Sequence, residues 1–180
     1  MNDDGFDSLA IRPTDQADMP DLMQIAAATG VFKRMELQAL SEVLHDFFAE
    51  NQAAGHCCVT AEQEGQALGF AYYAPAAMTD RTWYLYWIAV RPPRQARGVG
   101  SALLHHAEET VRRHNGRLLL IETSSLPHYK LTRRFYARHG YDVAAVLKDF
   151  YSDGDDMVVF GKRLAVVSER TAGKAEGSIS

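Results

Sequence analysis

The sequence predicts a mixed α/β domain, a single layer of sheet covered by helices, on three observations. Segments with the alternating or continuous apolar character of strands interleave with segments whose apolar residues recur every three or four positions. One run, WYLYWIAV (83–90), is continuously aromatic and β-branched in character, as a strand buried on both faces requires. A glycine-bearing turn, RPPRQARGVG, leads from that run into an amphipathic segment, the strand, turn and helix succession from which layered α/β domains are built.

Taken in order, Leu9 to Arg12 reads as a short strand. Pro20 sits early in a helix that runs through Ala28 and that Gly30 can end, because proline and glycine favour opposite helix ends. A second helix spans about Met35 to Gln52, with Leu37, Leu40, Leu44 and Phe48 on one face. The period then changes: Cys57 to Ala61 and Leu68 to Ala74 flank a polar turn containing Gly65 and read as a hairpin. Trp83 to Val90 is the expected central strand. A helix from about Ser101 to His114 presents Leu103, Leu104, Ala107 and Val111 on one face, Asn115-Gly116 closes it, and Leu118 to Glu122 is another buried strand. A helix from about Tyr129 to His139 stops at Gly140. Two closing strands, about Asp142 to Leu147 and Met157 to Leu164, are joined by the acidic turn SDGDD. Residues 8–167 thus form one domain, and the polar, aperiodic segments 1–7 and 168–180 are expected to be disordered tails.

Composition narrows the class. A length of 180 residues suits one compact domain. No segment approaches the roughly 18 apolar residues that a membrane span needs, and the acidic start is the reverse of a signal peptide's. The two cysteines, Cys57 and Cys58, are adjacent and cannot staple distant parts of the chain, so a cytoplasmic location is the default. The net charge of -4 hides an asymmetry: residues 1–90 hold 4 Lys or Arg against 13 Asp or Glu, residues 91–140 hold 10 against 3, and residues 141–180 hold 5 against 7. One strongly basic segment in an acidic protein points to an anionic ligand.

The chemistry concentrates at the junction after the central strand. Gly98 and Gly100 let the main chain approach a ligand, the following helix offers unpaired N–H groups in its first turn, and Arg91, Arg94 and Arg97 add charge, a combination that binds phosphate. No Gly-Lys-Ser/Thr follows, and Leu103 stands where a dinucleotide fingerprint places its third glycine, which disfavours a nucleotide P-loop and an NAD site. A plain tight turn is the alternative. His56-Cys57-Cys58 and His105-His106 with Glu109 supply no closed four-ligand pattern, so no metal is expected.

Gln95 to Gly100 fits the Gln/Arg-x-x-Gly-x-Gly/Ala signature of the GCN5-related N-acetyltransferases (GNAT), preceded by an Ile-Ala-Val-Arg-Pro strand end. Glu122-Thr123-Ser124 followed by RFYARHGY (134–141) is similar to the family's second landmark, so the sequence resembles that family from about Leu9 to Leu164. The resemblance implies a mixed, mostly antiparallel central sheet flanked by helices. It implies transfer of the acetyl group of acetyl-CoA directly to a primary amine, of a small molecule or a protein, in a ternary complex. It further implies that the central strand splays from its neighbour, with the pantetheine arm along Ile88, Ala89 and Val90 and the pyrophosphate on Gln95, Ala96, Arg97, Gly98, Val99, Gly100 and Ser101. Main-chain N–H near Ala89 and Val90 is then the oxyanion donor. Tyr136 matches the family's thiol-protonating tyrosine, a role that a phenol of ordinary pKa about 10 can fill; a core aromatic is the alternative.

The sequence departs from the family pattern in two places. Where relatives often carry a carboxylate on the central strand, this chain has Tyr84, Leu85, Tyr86 and Trp87, which leaves Glu122 as the substitute base, directly or through water, or else as a carboxylate that holds a loop or caps a helix. The family's asparagine and alanine seven and four residues before the tyrosine are replaced by Tyr129 and Thr132, so Ser124, Tyr129 or Arg133 would take over the cofactor contact. These departures motivate a second reading, a catalytically inactive CoA-binding sensor or scaffold. The basic segment motivates a third, a nucleic-acid-binding module, disfavoured because Arg112, Arg113, Arg133, Arg134 and Arg138 spread over two helices without a reading motif. For the acceptor, Trp83, Tyr86, Trp87, Phe150 and Tyr151 would supply flat walls, with Asp149, Asp153, Asp155 and Asp156 nearby. Phe150-Tyr151 is similar to the peptide-gripping hairpin of amino-terminal protein acetyltransferases, a solvated hairpin being the alternative. Fold and cofactor site do not fix the amine, and a homodimer is the commonest symmetric assembly.

Overall fold

A computed structural model describes residues 9–92, 94 and 98–165. Both expected tails, and the sequence-predicted contacts at Gln95, Ala96 and Arg97, lie outside the described residues. The strands are β1 Ala10–Pro13, β2 Cys57–Gln63, β3 Gln66–Pro75, β4 Thr82–Val90, β5 Leu118–Ser124, β6 Asp142–Ser152 and β7 Asp155–Arg163; the helices are α1 Met19–Ala28, α2 Arg34–Asp46, α3 Val99–Arg113 and α4 Lys130–Arg138. One seven-stranded sheet runs in the order β1-β2-β3-β4-β5-β7-β6, with β4 in the middle. Among the described residues its only parallel pair is β4 with β5, joined by α3 as a crossover, as a parallel connection requires.

Helices cover both faces. On one, Leu22 and Ile25 of α1 and Leu40 and Leu44 of α2 pack on Phe70, Tyr72 and Ala89. On the other, Leu103, Leu104, Ala107 and Val111 of α3 and Tyr136 of α4 pack on Tyr73, Leu85, Ile121 and Phe160. Each of these leucines is fully buried, which stabilises the fold by about 2 kcal/mol apiece. Gly69 of β3 sits where the layers come closest: a Cβ there would stand 2.7 Å from Ala89 O and 3.1 Å from Leu103 Cδ1. Among the described residues no helix is long and apolar enough to cross a membrane.

Three expectations are corrected. The second helix keeps its α-helical bonding only to Asp46 and finishes in a π-helical turn, Phe47–Asn51, in which Gln52 N–H reaches Phe47 O at 3.0 Å. The closing hairpin is longer and its turn shorter than SDGDD: Asp155 and Asp156 are strand residues, while Lys148 to Tyr151 form a wide bulge between the pairs Leu147–Met157 and Ser152–Asp155. Asp156 organises that bulge, accepting from Lys148 Nζ at 2.7 Å and from Asp149 N–H at 3.0 Å. Finally, the central strand is not buried on both faces throughout, because Tyr86 is 52% exposed.

Candidate active site

Tyr86 is exposed because β4 loses a neighbour. The β4–β5 pairing covers Thr82 to Leu85 against Leu118 to Ile121 and then stops. Beyond it β4 stays with β3 as far as Val90, and β5 stays with β7 as far as Ser124. The sheet therefore opens into a cleft at its centre. At the parting point β4 carries a bulge, with Tyr72 opposite Trp87 and Tyr73 opposite Leu85, so that Tyr86 is the extra residue; bulges kink a strand and raise its twist. Arg91 N–H donates to Leu68 O at 2.8 Å, which sets the phase of the β3–β4 ladder. Bonded pairs alternate along an antiparallel ladder, so the main chain of Ala89 turns toward β3, and that of Ile88 and Val90 toward the edge that β5 has left. Of the three residues expected to meet the pantetheine arm, Ile88 has the phase to offer main-chain groups to the cleft. Ala89 supplies a buried methyl on the opposite helix layer.

At the mouth of the cleft α3 begins. Gly98 caps it in the left-handed region, at φ +85°, where a side chain costs about 1–2 kcal/mol. The first-turn N–H groups and dipole of this 15-residue helix favour an anion. Ser101 Oγ lies 2.9 Å from His139 Nε2, and His139 Nδ1 lies 2.8 Å from Phe135 O. With Nδ1–H donating to that carbonyl, Nε2 accepts the serine proton. The expected diphosphate contact is thereby tied to the last turn of α4.

Tyr136, on α4, is 3% exposed and packs against Phe135, Tyr141 and Phe160 at ring distances of 5.4, 6.0 and 5.7 Å. Burial is the sole cause that pushes its phenol pKa well up, which keeps it protonated throughout the neutral range. An unforeseen buried ion cluster anchors the end of this helix. Glu108, 4% exposed on α3, accepts from Lys162 Nζ at 2.8 and 3.0 Å, from Tyr141 OH at 3.0 Å and from Arg112 at 3.2 Å, and Lys162 Nζ also donates to His139 O at 2.9 Å.

The opposite side of the cleft is acidic and aromatic. Glu122 stands on β5 just past the parting point. Partial burial raises its carboxyl pKa above the ordinary value, and the Tyr84 phenol, by hydrogen bonding to it, opposes that shift. Tyr84 and Tyr86 stack at 5.5 Å and 30°, and each phenol is raised by burial together with the Glu122 charge. Tyr151 reaches in from the bulge of β6. Its phenol is pushed up to about 12, by burial first and then by the charges of Glu122, Asp155 and Glu36. Trp87 packs on Phe32, from the α1–α2 connection, at 5.3 Å.

Several other expected site residues spend their polar groups inside the chain. Ser124 Oγ donates to the buried Asp155 carboxylate, which also receives Lys33 Nζ at 3.4 Å. Arg133 donates to Leu126 O at 3.1 Å and also to Ser124 O at 2.5 Å, stapling the β5–α4 connection. Tyr129 OH donates to Val31 O at 3.4 Å. Trp83 does not wall the cleft: it is 5% exposed at the closed end of β4, packed on Tyr73 and His114. Phe150 is 55% exposed beside Tyr151. Among the acidic hairpin residues, Asp155 and Asp156 hold structure in the ways described, and Asp149 accepts from Gly154 N–H at 2.7 Å. His56 Nδ1 lies 2.6 Å from Tyr72 OH, and His105 pairs with Glu109 at 3.1 Å on the surface of α3. Tyr84 was legible as the i-2 partner of Tyr86 on one strand face; Glu36 sits where a carboxylate caps the start of α2, accepting from Lys33 N–H at 2.6 Å, and Glu108 carries no local signal.

A parted parallel pair followed by a glycine-capped crossover helix belongs to an acyltransferase-type fold. Residues 20–141 match the acetyltransferase (GNAT) family, and the chain belongs to that family. An uncharacterized N-acetyltransferase of Methanocaldococcus jannaschii is 29% identical over 111 residues, 60% of this chain and 67% of that one. The crystal structure of a GNAT-family protein from Desulfovibrio desulfuricans superposes with TM-score 0.82 at 37% identity, over 88% of this chain and all of that one. An aminoglycoside 6'-N-acetyltransferase complexed with coenzyme A superposes with TM-score 0.70 at 16% identity, over 87% of this chain and 97% of that one, a likeness of fold alone.

Proposed function

We propose that this protein transfers the acetyl group of acetyl-CoA directly to the primary amine of a cationic acceptor, both bound together across the β4–β5 cleft. The observation that carries the reading is the cleft itself, where β5 leaves β4 after Leu85 and Ile121, with Glu122 just beyond the parting point and the glycine-capped start of α3 following β4. The residues present fit acyl-CoA: the helix start with Arg91 and Arg94 suits its phosphates, and the main chain of Ile88 suits its amide arm. CoA in a fold neighbour supports the same ligand.

Each side chain then has a task. Ionised Glu122 takes a proton from the ammonium, directly or through water, and its raised pKa brings it closer to the amine it must deprotonate. The free amine attacks the thioester carbonyl carbon, and main-chain N–H of Ile88 faces the charge developing on its oxygen. As the carbon–sulfur bond breaks, the Tyr136 hydroxyl gives its proton to the departing thiolate and recovers one from solvent. The carboxylates Glu36 and Glu122 and the faces of Tyr84, Tyr86 and Tyr151 favour a cationic acceptor over a neutral or anionic one. Calorimetry with acetyl-CoA, followed by free-thiol release across a panel of polyamines, aminoglycosides and amino-terminal peptides, tests the reading. Binding with thiol release on a cationic amine is expected; no heat at millimolar acetyl-CoA refutes it.

A further inference from the structure

Beside Glu122 stands Thr123, whose hydroxyl has no task in this chemistry. Its Oγ1 is the one buried side-chain nitrogen or oxygen among the described residues without a hydrogen-bond partner, and the residue is 5% exposed. Strand alternation puts it on the face opposite Glu122, with Leu119 and Ile121 and, across the ladder, Val158, under the layer formed by α3 and α4. It stands two residues beyond Ile121, where β5 last pairs with β4. One flank is covered by β7 and the other borders the cleft. A hydroxyl buried without a partner costs free energy, and native structures seldom tolerate one that nothing completes.

We propose that Thr123 is a ligand-contacting residue whose hydroxyl donates to a carbonyl oxygen of the acyl-pantetheine arm of an acyl-CoA lying in the β4–β5 cleft. The inference rests on the acyl-CoA reading above. Isoleucine and valine around the hydroxyl suit a neutral carbonyl, whereas the charged diphosphate belongs at the α3 N-terminus. Two carbonyl sources share this chemistry, the amides of the pantetheine arm and the thioester.

Thr123→Val keeps the shape and removes the hydroxyl, and two readouts should move in opposite senses. Affinity for CoA thioester by calorimetry should fall by about three- to tenfold, the value of one neutral hydrogen bond, while the thermal midpoint without ligand should stay level or rise because an unpaired polar group is gone. Thr123→Ser should retain most of the affinity, and Thr123→Ala should repeat the loss if valine disturbs the packing. An equal loss for CoA and acetyl-CoA assigns the contact to a pantetheine amide, and a loss confined to acetyl-CoA assigns it to the thioester. Wild-type affinity in both the valine and alanine variants overturns the proposal. Absence of binding by the wild-type protein instead overturns the acyl-CoA reading, and this contact with it.

Discussion

Lys162→Met tests how the helix that carries Tyr136 is held. The substitution keeps most of the apolar stem but removes an ammonium that makes two contacts to Glu108, at 2.8 and 3.0 Å, and one to His139 O, at 2.9 Å. Removing one partner of a fully buried ion pair costs about 3–5 kcal/mol, most of it the penalty of the charge left behind. Here the Lys162 side chain is 25% exposed and Arg112 still reaches Glu108 at 3.2 Å, so solvent screening and the remaining partner reduce the loss to about 2–3 kcal/mol. With a urea m-value of about 2 kcal/mol/M, the unfolding midpoint should fall by about 1–1.5 M. Glu108→Gln combined with Lys162→Met should be less damaging than the sum of the two single variants, since the glutamine leaves no charge to strand. A single-variant loss below about 0.5 kcal/mol, or additive behaviour in the cycle, would refute the anchoring role.

Tyr136→Phe removes only a hydroxyl from a site where burial alone sets the phenol, so stability and acetyl-CoA affinity should hold while kcat falls about 10²-fold or more; an unchanged kcat in steady-state thiol release removes Tyr136 from the chemistry. Glu122 must be ionised to act as base, so the rate should fall as the pH drops through a pKa raised above the ordinary carboxylate value of about 4.3. Glu122→Gln should lower kcat/KM about 10²-fold at neutral pH and abolish that acid limb, and a pH profile matching the wild type refutes the role. Gly69→Ala should destabilise the protein by about 2–3 kcal/mol because its Cβ meets the backbone of β4. Gly98→Ala meets nothing within 4 Å and should cost only the left-handed strain, about 1–2 kcal/mol; equal losses in chemical denaturation would contradict this distinction.

The sequence by itself determined the order of the elements and the place of the chemistry. Periodicity is local: the leucine spacing of α2 and α3, the run from Trp83 to Val90, and the Gly98 and Gly140 stops can all be read within a window of one element. Two motifs in the right order were enough to resemble the family to which the chain belongs. The tertiary structure decided what depends on pairing. WYLYWIAV reads as uniformly buried, yet the register parts β5 from β4 after Leu85 and Ile121, which exposes Tyr86 and sends Trp83, three residues away, into the core. Ser124 and Arg133 look available for a ligand until the fold gives them Asp155 and two main-chain carbonyls. Glu108 looks like a solvated helix charge until Lys162, 54 residues later, is brought to it. The physical reason is the same in each case: a side chain's propensity belongs to its own segment, but its burial and its hydrogen-bond partners are set by residues distant in sequence, which only the assembled sheet and its helices bring within reach.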